Sequence, residues 1–228
     1  MTTFDPWAQG ARLKVIVGHY GSGKTEIALN MALAARKSGR ETALCDLDVV
    51  NPFFRSAEQH ELLERAGVQG IFPQFALTGV DVPSLPAEVR SVFGKPDLSC
   101  VLDVGGDDAG AAALGQYAPW FQKEAYDMYY VINPYRPFSE TEAQIENMLR
   151  RIEFRSRLRV TGILNNANMG CATTEKDILG GIPLVQRAAD ACGIPVLALC
   201  VREDIEMQTE LPVYPICRYL VPEWMEEV

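Results

Sequence analysis

Short apolar runs alternate with longer amphipathic stretches along most of the chain. The runs over 13–17, 42–46, 98–103, 128–133, 160–165 and 195–200 are apolar at successive positions, the pattern of strands covered on both faces. Between them, 24–38, 56–66, 111–124, 139–154 and 184–192 space their apolar residues three and four apart, which predicts helices. Strand and helix in alternation predict βαβ units, hence an α/β fold: a single-domain, doubly wound, mostly parallel sheet between layers of helices. Gly39, Gly67 and Gly193 stand just past three of the helices, where a left-handed residue closes the last turn. Ser139 precedes Glu142 by the spacing of a capping box, and Pro119 predicts a break in the helix over 111–124. The stretch 70–97 departs from the pattern. With Pro73, Pro83, Pro86 and Pro96 it predicts an irregular excursion holding one short helix near Ala87.

Composition supports one folded domain over 1–228, with a core at about 13–204 and a tail at 205–228: 48% of the 228 residues are hydrophobic and 22% charged. Lys and Arg number 21 against 30 Asp and Glu, and the net charge of -9 disfavours nucleic acid or an anionic membrane as partner. The longest apolar stretches fall short of the ~20 residues of a membrane span. The first twelve residues lack a basic segment followed by an apolar run, so the expectation is a cytoplasmic protein without a leader. Six cysteines at 45, 100, 171, 192, 200 and 217 form no C-x-x-C pair, and His19 and His60 are the only histidines, so no cysteine–histidine metal site is expected. Cys45, Cys100 and Cys200 lie in apolar runs and read as reduced core residues. Arg150, Arg151, Arg155, Arg157 and Arg159 crowd a helix end, where cations favour the dipole. Tyr129, Tyr130, Tyr135 and Phe138 flank the fourth run and read as core or pocket lining.

The strongest chemistry lies in Gly18-His19-Tyr20-Gly21-Ser22-Gly23-Lys24-Thr25, which fits G-x-x-x-x-G-K-[ST] between a predicted strand and a predicted helix. Its glycines let backbone N–H groups turn inward around a phosphate, and the helix start adds its positive end to the same spot. Lys24 would bridge β- and γ-phosphates, and Thr25 would give its hydroxyl to Mg²⁺. Glu26, the next residue, is grouped with these as a nucleotide-binding position. Asp103 closes the third run and is followed by Gly105 and Gly106, whose backbone can approach a γ-phosphate without a clashing Cβ. Asp46 and Asp48 end the second run on the same side of its alternation. They would stand near Thr25 if the first and second strands are neighbours. Asp46 and Asp103 are candidates for the magnesium shell and Asp48 for positioning water or acting as base. A turn in which Asp48 and Asn51 only satisfy loop backbone is the alternative.

Together, Gly18 to Thr25, Asp46-Leu47-Asp48 and Asp103-Val104-Gly105-Gly106 resemble the MinD/ParA/CobQ-like, or SIMIBI-class, branch of P-loop proteins. Gly162-Ile163-Leu164-Asn165-Asn166 resembles that family's base-contacting strand, and Gly193-Ile194-Pro195-Val196-Leu197 its last core strand, so the resemblance runs from about 13 to 204. It implies a slow switch ATPase that binds ATP or ADP with Mg²⁺, has loops at 49–54 and 105–110 that respond to the γ-phosphate, and acts on an unidentified protein partner. It also implies that Asn165 or Asn166 contacts the base and that Arg202, where relatives often carry proline, flanks the adenine. His19 occupies the place of the lysine that in MinD and ParA reaches a dimer partner's phosphates. The homodimer that the family implies would form without that residue.

The core Gly21 to Thr25 resembles the nickel-chaperone GTPases as well. Those proteins read guanine with Asn-Lys-x-Asp, whereas Asn165-Asn166-Ala167-Asn168 offers no carboxylate, so ATP is favoured over GTP. A second class, resembling dethiobiotin synthetase and the cobyrinate amidases, would use the γ-phosphate to activate a small carboxylate, with 70–97 lining its pocket. The tail from Met207 carries Arg218 as its only cation and no lysine, which disfavours a MinD-type membrane helix and leaves packing over the nucleotide or a partner surface.

Overall fold

A computed structural model of the chain describes residues 2–48, 57–72, 88–106 and 108–220. In chain order the elements are β1 (Leu13–Gly18), α1 (Lys24–Lys37), β2 (Glu41–Asp46), α2 (Ala57–Ala66), β3 (Gln69–Ile71), α3 (Glu88–Val92), β4 (Leu98–Asp103) and α4 (Asp108–Gly115). There follow α5 (Ala118–Phe121), β5 (Tyr126–Ile132), α6 (Glu142–Ser156), β6 (Gly162–Asn165), α7 (Glu175–Cys192), β7 (Val196–Arg202) and β8 (Val213–Ile216). All strand pairings are parallel, in the order β3-β2-β4-β1-β5-β6-β7-β8.

The alternation of β1 explains the two helical layers. Leu13, Val15 and Val17 join a cluster completed by residues of α3 to α7, such as Val89, Leu114, Phe121, Ile145 and Val185. Ile16 points the other way, into a cluster with Ile27, Leu29, Met31 and Ala35 of α1, Leu63 of α2 and Tyr214 of β8. Parallel strands joined by helices on both faces must bury both sides, which is why these runs are apolar throughout. Lys14 breaks the rule and shows how it is broken. Its side chain is fully buried, its Nζ lies 2.5 Å from an Asp127 carboxylate oxygen, and the ring centroids of Trp7 and Tyr129 are 5.0 and 5.7 Å away. Burial still draws the Lys14 ammonium below its ordinary pKa, the Asp127 partner only partly opposing it.

Several sequence expectations move. The helix expected over 184–192 begins at Glu175, capped by Thr174, whose hydroxyl accepts from Asp177 N while Asp177 accepts from Thr174 N, and it runs through Pro183. The capping box ahead of α6 is Thr141 with Gln144 rather than Ser139 with Glu142; Ser139 N donates instead to the Arg136 carbonyl. The break in 111–124 falls at residues 116–117, and Pro119 sits in the first turn of α5, where its missing N–H costs nothing. Strands β3 and β8 were not foreseen; the latter is an edge strand that tolerates Pro215. The short helix expected near Ala87 is α3, while the rest of that excursion, 73–87, lies outside the described residues, as do the 49–54 loop, Asp107 and 221–228. Cys45, Cys100 and Cys200 are buried, with the Cys45 and Cys100 sulfurs 3.4 Å apart. Tyr129 and Tyr130 are core residues; Phe138, 63% exposed, lines a cleft, and Tyr135 is 40% exposed, since β5 ends before both. No helix among the described residues is long and apolar enough to cross a membrane.

Candidate nucleotide site

β1 delivers the chain to Gly18, and α1 starts at Lys24, so the glycine-rich octapeptide is the strand-to-helix turn its pattern requires. Gly21 and Gly23 both lie in the left-handed region, with φ of 74° and 90°. Gly23 is constrained twice: a Cβ there would lie 2.3 Å from Asn166 Nδ2. That amide donates to the Ser22 carbonyl at 2.7 Å, tying the loop to the end of β6. Lys24 is 7% exposed, and its Nζ donates to the His19 carbonyl at 3.2 Å, laying the ammonium across the loop. His19's ring centroid lies 5.3 Å from that of Phe138, and Tyr20 is 67% exposed.

The sheet order corrects one expectation. β4 lies between β1 and β2, so β2 is not the neighbour of the phosphate-loop strand. Asp103 is in register with Ile16 on one side and Asp46 on the other, which makes Asp103 the near carboxylate and Asp46 one strand further out. Asp103 is 2% exposed, and burial pushes its carboxyl up to about 6 against the Lys24 ammonium and a hydrogen bond with the Thr25 hydroxyl. Its Oδ1 is buried with no hydrogen-bond partner among the described residues. Asp48 N donates to Asp46 Oδ1 at 2.8 Å, a turn made by the Asp46 side chain, while Asn51 lies outside the described residues. The Asp48 carboxylate faces the next loop: a Cβ on Gly105 would lie 3.1 Å from its Oδ1. Gly106 in turn abuts the phosphate loop, where a Cβ would stand 2.6 Å from Tyr20 N. The Thr25 hydroxyl with the Asp103 and Asp46 carboxylates is an all-oxygen donor set suited to Mg²⁺, and the orphaned Asp103 oxygen fits that use.

Beside the loop opens a cavity of about 280 Å³ lined by Gly21, Gly23, Asn166, Asn168, Arg202 and Arg218 among others. Of the two expected base-contacting amides, Asn166 reaches it. Asn165 is buried behind, its Oδ1 accepting from Ala167 N. Arg202 lines the cavity with its guanidinium fixed: Nε and Nη2 donate to Asp204, and Nη1 to the Gly170 and Cys171 carbonyls. Glu26 lines this cavity as well. Its carboxylate accepts from Tyr219 N at 2.8 Å and Leu220 N at 3.2 Å, while Asn30 exchanges two hydrogen bonds with the Cys217 backbone. Burial raises the Glu26 carboxyl above its ordinary range. The tail therefore walls the cavity with Ile216, Arg218 and Leu220. Arg136, Arg218 and Asn30 were missed by sequence reasoning, since none belongs to a local motif. A second, wider cleft of about 790 Å³ lies between the phosphate loop and α6, lined by His19, Gly106, Asp108, Phe138, Met148 and Arg151 among others.

No protein-family model matches the chain, and no curated protein matches it in sequence. Solved structures do. The cell division protein FtsY of Thermotoga maritima superposes with a TM-score of 0.50 at 21% identity, covering 88% of this chain and 64% of that one. The 54 kDa signal recognition particle protein of Aeropyrum pernix K1, in complex with GDP, gives 0.53 at 17% identity over 84% of this chain and 41% of that one. FtsY of Mycoplasma mycoides gives 0.50 at 18% identity over 88% and 64%. The chain thus spans less than two thirds of the length of each. At these identities the likeness speaks for architecture alone: the chain has the α/β fold of P-loop nucleoside triphosphatases, an open parallel sheet with the phosphate loop at its centre.

Proposed function

We propose that the chain binds a Mg-nucleoside triphosphate, ATP in preference to GTP, and hydrolyses it slowly to change its fit to a protein partner. One observation carries this reading. Buried Asp103 stands beside Lys24 and Thr25, the loop after β4 abuts the phosphate loop at Gly106, and Asp48, just past β2, abuts that same loop at Gly105. Loops so placed are held differently with and without a γ-phosphate, which is what a switch needs. In this reading Lys24 neutralises the β- and γ-phosphates, Thr25 and Asp103 hold Mg²⁺ with Asp46 in its outer shell, and Asp48 orients the attacking water. Bound Mg²⁺ supplies charge neutralisation between the phosphates.

The base preference rests on the cavity. Glu26 is the one carboxylate among its described lining residues, and both its oxygens already accept from Tyr219 and Leu220. An adenine needs no such acceptor, whereas guanine is read by a carboxylate that takes two of its N–H groups. The GDP complex of the signal recognition particle protein keeps GTP as the competitor to test. A second reading, transfer of the γ-phosphate to a small carboxylate, is favoured by the wide cleft beside His19 and Gly106.

Phosphate release with Mg-ATP and Mg-GTP, with and without small carboxylates, tests both. Slow release from ATP that is lost in Asp48→Ala while binding persists supports the switch. Release that requires an added carboxylate moves the assignment to the second reading, and binding of neither nucleotide refutes both.

A further inference from the structure

The phosphate end of the site is short of positive charge. Lys24 neighbours the Asp103 carboxylate, which Asp48 also approaches, and a nucleoside triphosphate would bring more negative charge than one Mg²⁺ cancels. His19 turns its ring toward Phe138, with Nδ1 3.1 Å from the Tyr20 carbonyl oxygen. A further cation, Arg136, stands beside the loop.

Arg136 lies in Asn133-Pro134-Tyr135-Arg136-Pro137-Phe138, the segment that leaves β5 next to β1. Its Cδ and Nε lie 3.7 and 3.8 Å from where a Cβ on Gly21 would be, and it lines the nucleotide cavity together with Gly21 and Gly23. The segment is fixed. Asn133 Oδ1 accepts from Tyr135 N, Asn133 Nδ2 donates to the Asn168 carbonyl, and Arg136 N donates to the Asn133 carbonyl. Two prolines restrict it further, and Phe138 is held at φ 65°, a left-handed conformation unfavourable for an aromatic residue and of a kind concentrated at functional sites. Arg12, Arg65, Arg150, Arg151, Arg159, Arg187 and Arg202 all pair with carboxylates. The Arg136 guanidinium makes no hydrogen bond or ion pair with any described residue.

We propose that Arg136 is the second cation of the phosphate site, supplied from within the chain. This rests on the nucleotide-hydrolysing reading above. In hydrolysis a bond forms from the water oxygen to the γ-phosphorus, the bond to the β–γ bridging oxygen breaks, and charge develops on the departing β-phosphate. The water proton ends on the released phosphate. Arg136 donates N–H groups to the γ-phosphate oxygens and the β–γ bridge, which ADP lacks, and exchanges no proton, the role in which a forked, permanently charged guanidinium exceeds an ammonium.

The test compares wild type, Arg136→Ala, Arg136→Lys and Lys24→Ala, with Arg150→Ala as an exposed-arginine control. The readouts are phosphate release and the affinities for Mg-ATP and Mg-ADP. Arg136→Ala is expected to lower release about 10²-fold and the preference for ATP over ADP about tenfold, with ADP affinity within about threefold of wild type. Arg136→Lys should fall between, and added guanidinium ion should restore part of the lost rate to Arg136→Ala alone. A protein that binds without turnover is judged on the ATP-to-ADP affinity ratio. An unchanged ratio in Arg136→Ala overturns the proposal, and so does an equal loss of both affinities, the mark of a cavity wall rather than a phosphate contact. Nucleotide binding that survives Lys24→Ala overturns the underlying reading itself, which separates the two failures.

Discussion

Gly106→Ala tests the coupling between the β4 loop and the phosphate loop. A Cβ at this position would lie 2.6 Å from Tyr20 N, 2.8 Å from Tyr20 Cα and 3.0 Å from His19 C, all backbone atoms that no rotamer change can move aside. Ordinary contact is about 3.5 Å, so the two loops must part by about 0.9 Å. Tyr20 N belongs to the octapeptide whose amides are to surround the phosphates, and a shift of that size forfeits most of one charge-assisted hydrogen bond. That is worth about 2 kcal/mol, or roughly 30-fold in nucleotide affinity. Fold stability should suffer less, about 1 kcal/mol and a melting temperature lower by about 3 °C, because both loops sit at the open end of the sheet. Gly94→Ala is the control: the nearest atom to its Cβ would be the Ser91 carbonyl oxygen at 3.7 Å. Titration with a fluorescent ATP analogue, alongside thermal denaturation of the nucleotide-free proteins, reads both quantities. A folded Gly106→Ala protein that binds within about threefold of wild type would refute the claim that this loop sets the shape of the phosphate site.

Three further outcomes follow from the same geometry. Asn166→Ala removes the buried amide that holds the Ser22 carbonyl, and should cost about 1–3 kcal/mol in urea unfolding and weaken nucleotide binding as well; unchanged values on both would contradict the tie. Glu26→Ala frees the tail at Tyr219 and Leu220, so hydrogen exchange at those amides should quicken by about tenfold or more while the β-sheet core keeps its protection. Lys14 has its pKa lowered by burial, so between its folded value and 10.5 the unfolded chain binds more protons, and stability rises with pH across that window. The difference in urea midpoint between wild type and Lys14→Met should therefore grow in favour of wild type as pH climbs toward 10.5. A constant difference would mean that Lys14 is not desolvated as described.

What was legible in the sequence was local. The phosphate loop is eight consecutive residues, and Asp46 and Asp103 are each the last residue of a strand, so strand, turn and helix could be read without knowing the neighbours. Strand order is not local. Nothing between 42 and 103 states that β4 inserts between β1 and β2, yet this decides that Asp103 rather than Asp46 stands beside Thr25. The first half of α7 was hidden by Gly180, Gly181 and Pro183, all poor helix formers. Gly181 is there for packing, since its Cβ would meet the Ala167 Cβ at 2.6 Å. Glu26 was read by proximity to the loop, but its carboxylate is claimed by amides 193 and 194 residues further on, a contact no spacing announces. Ser139 was read as the cap by spacing alone, whereas Thr141, in extended conformation, is the residue whose hydroxyl accepts from Gln144 N. Arg136 carries no motif at all; its interest comes from where β5 places it.

The central claim is that Lys24 and its loop bind a nucleoside triphosphate. The most direct measurement is calorimetric titration of wild type and Lys24→Ala with Mg-ATP and with Mg-GTP. Wild type should show saturable one-site binding, tighter for ATP, and at least about 100-fold weaker in a Lys24→Ala protein that melts like wild type. Folded wild type that binds neither nucleotide, or Lys24→Ala that binds as wild type does, would contradict it.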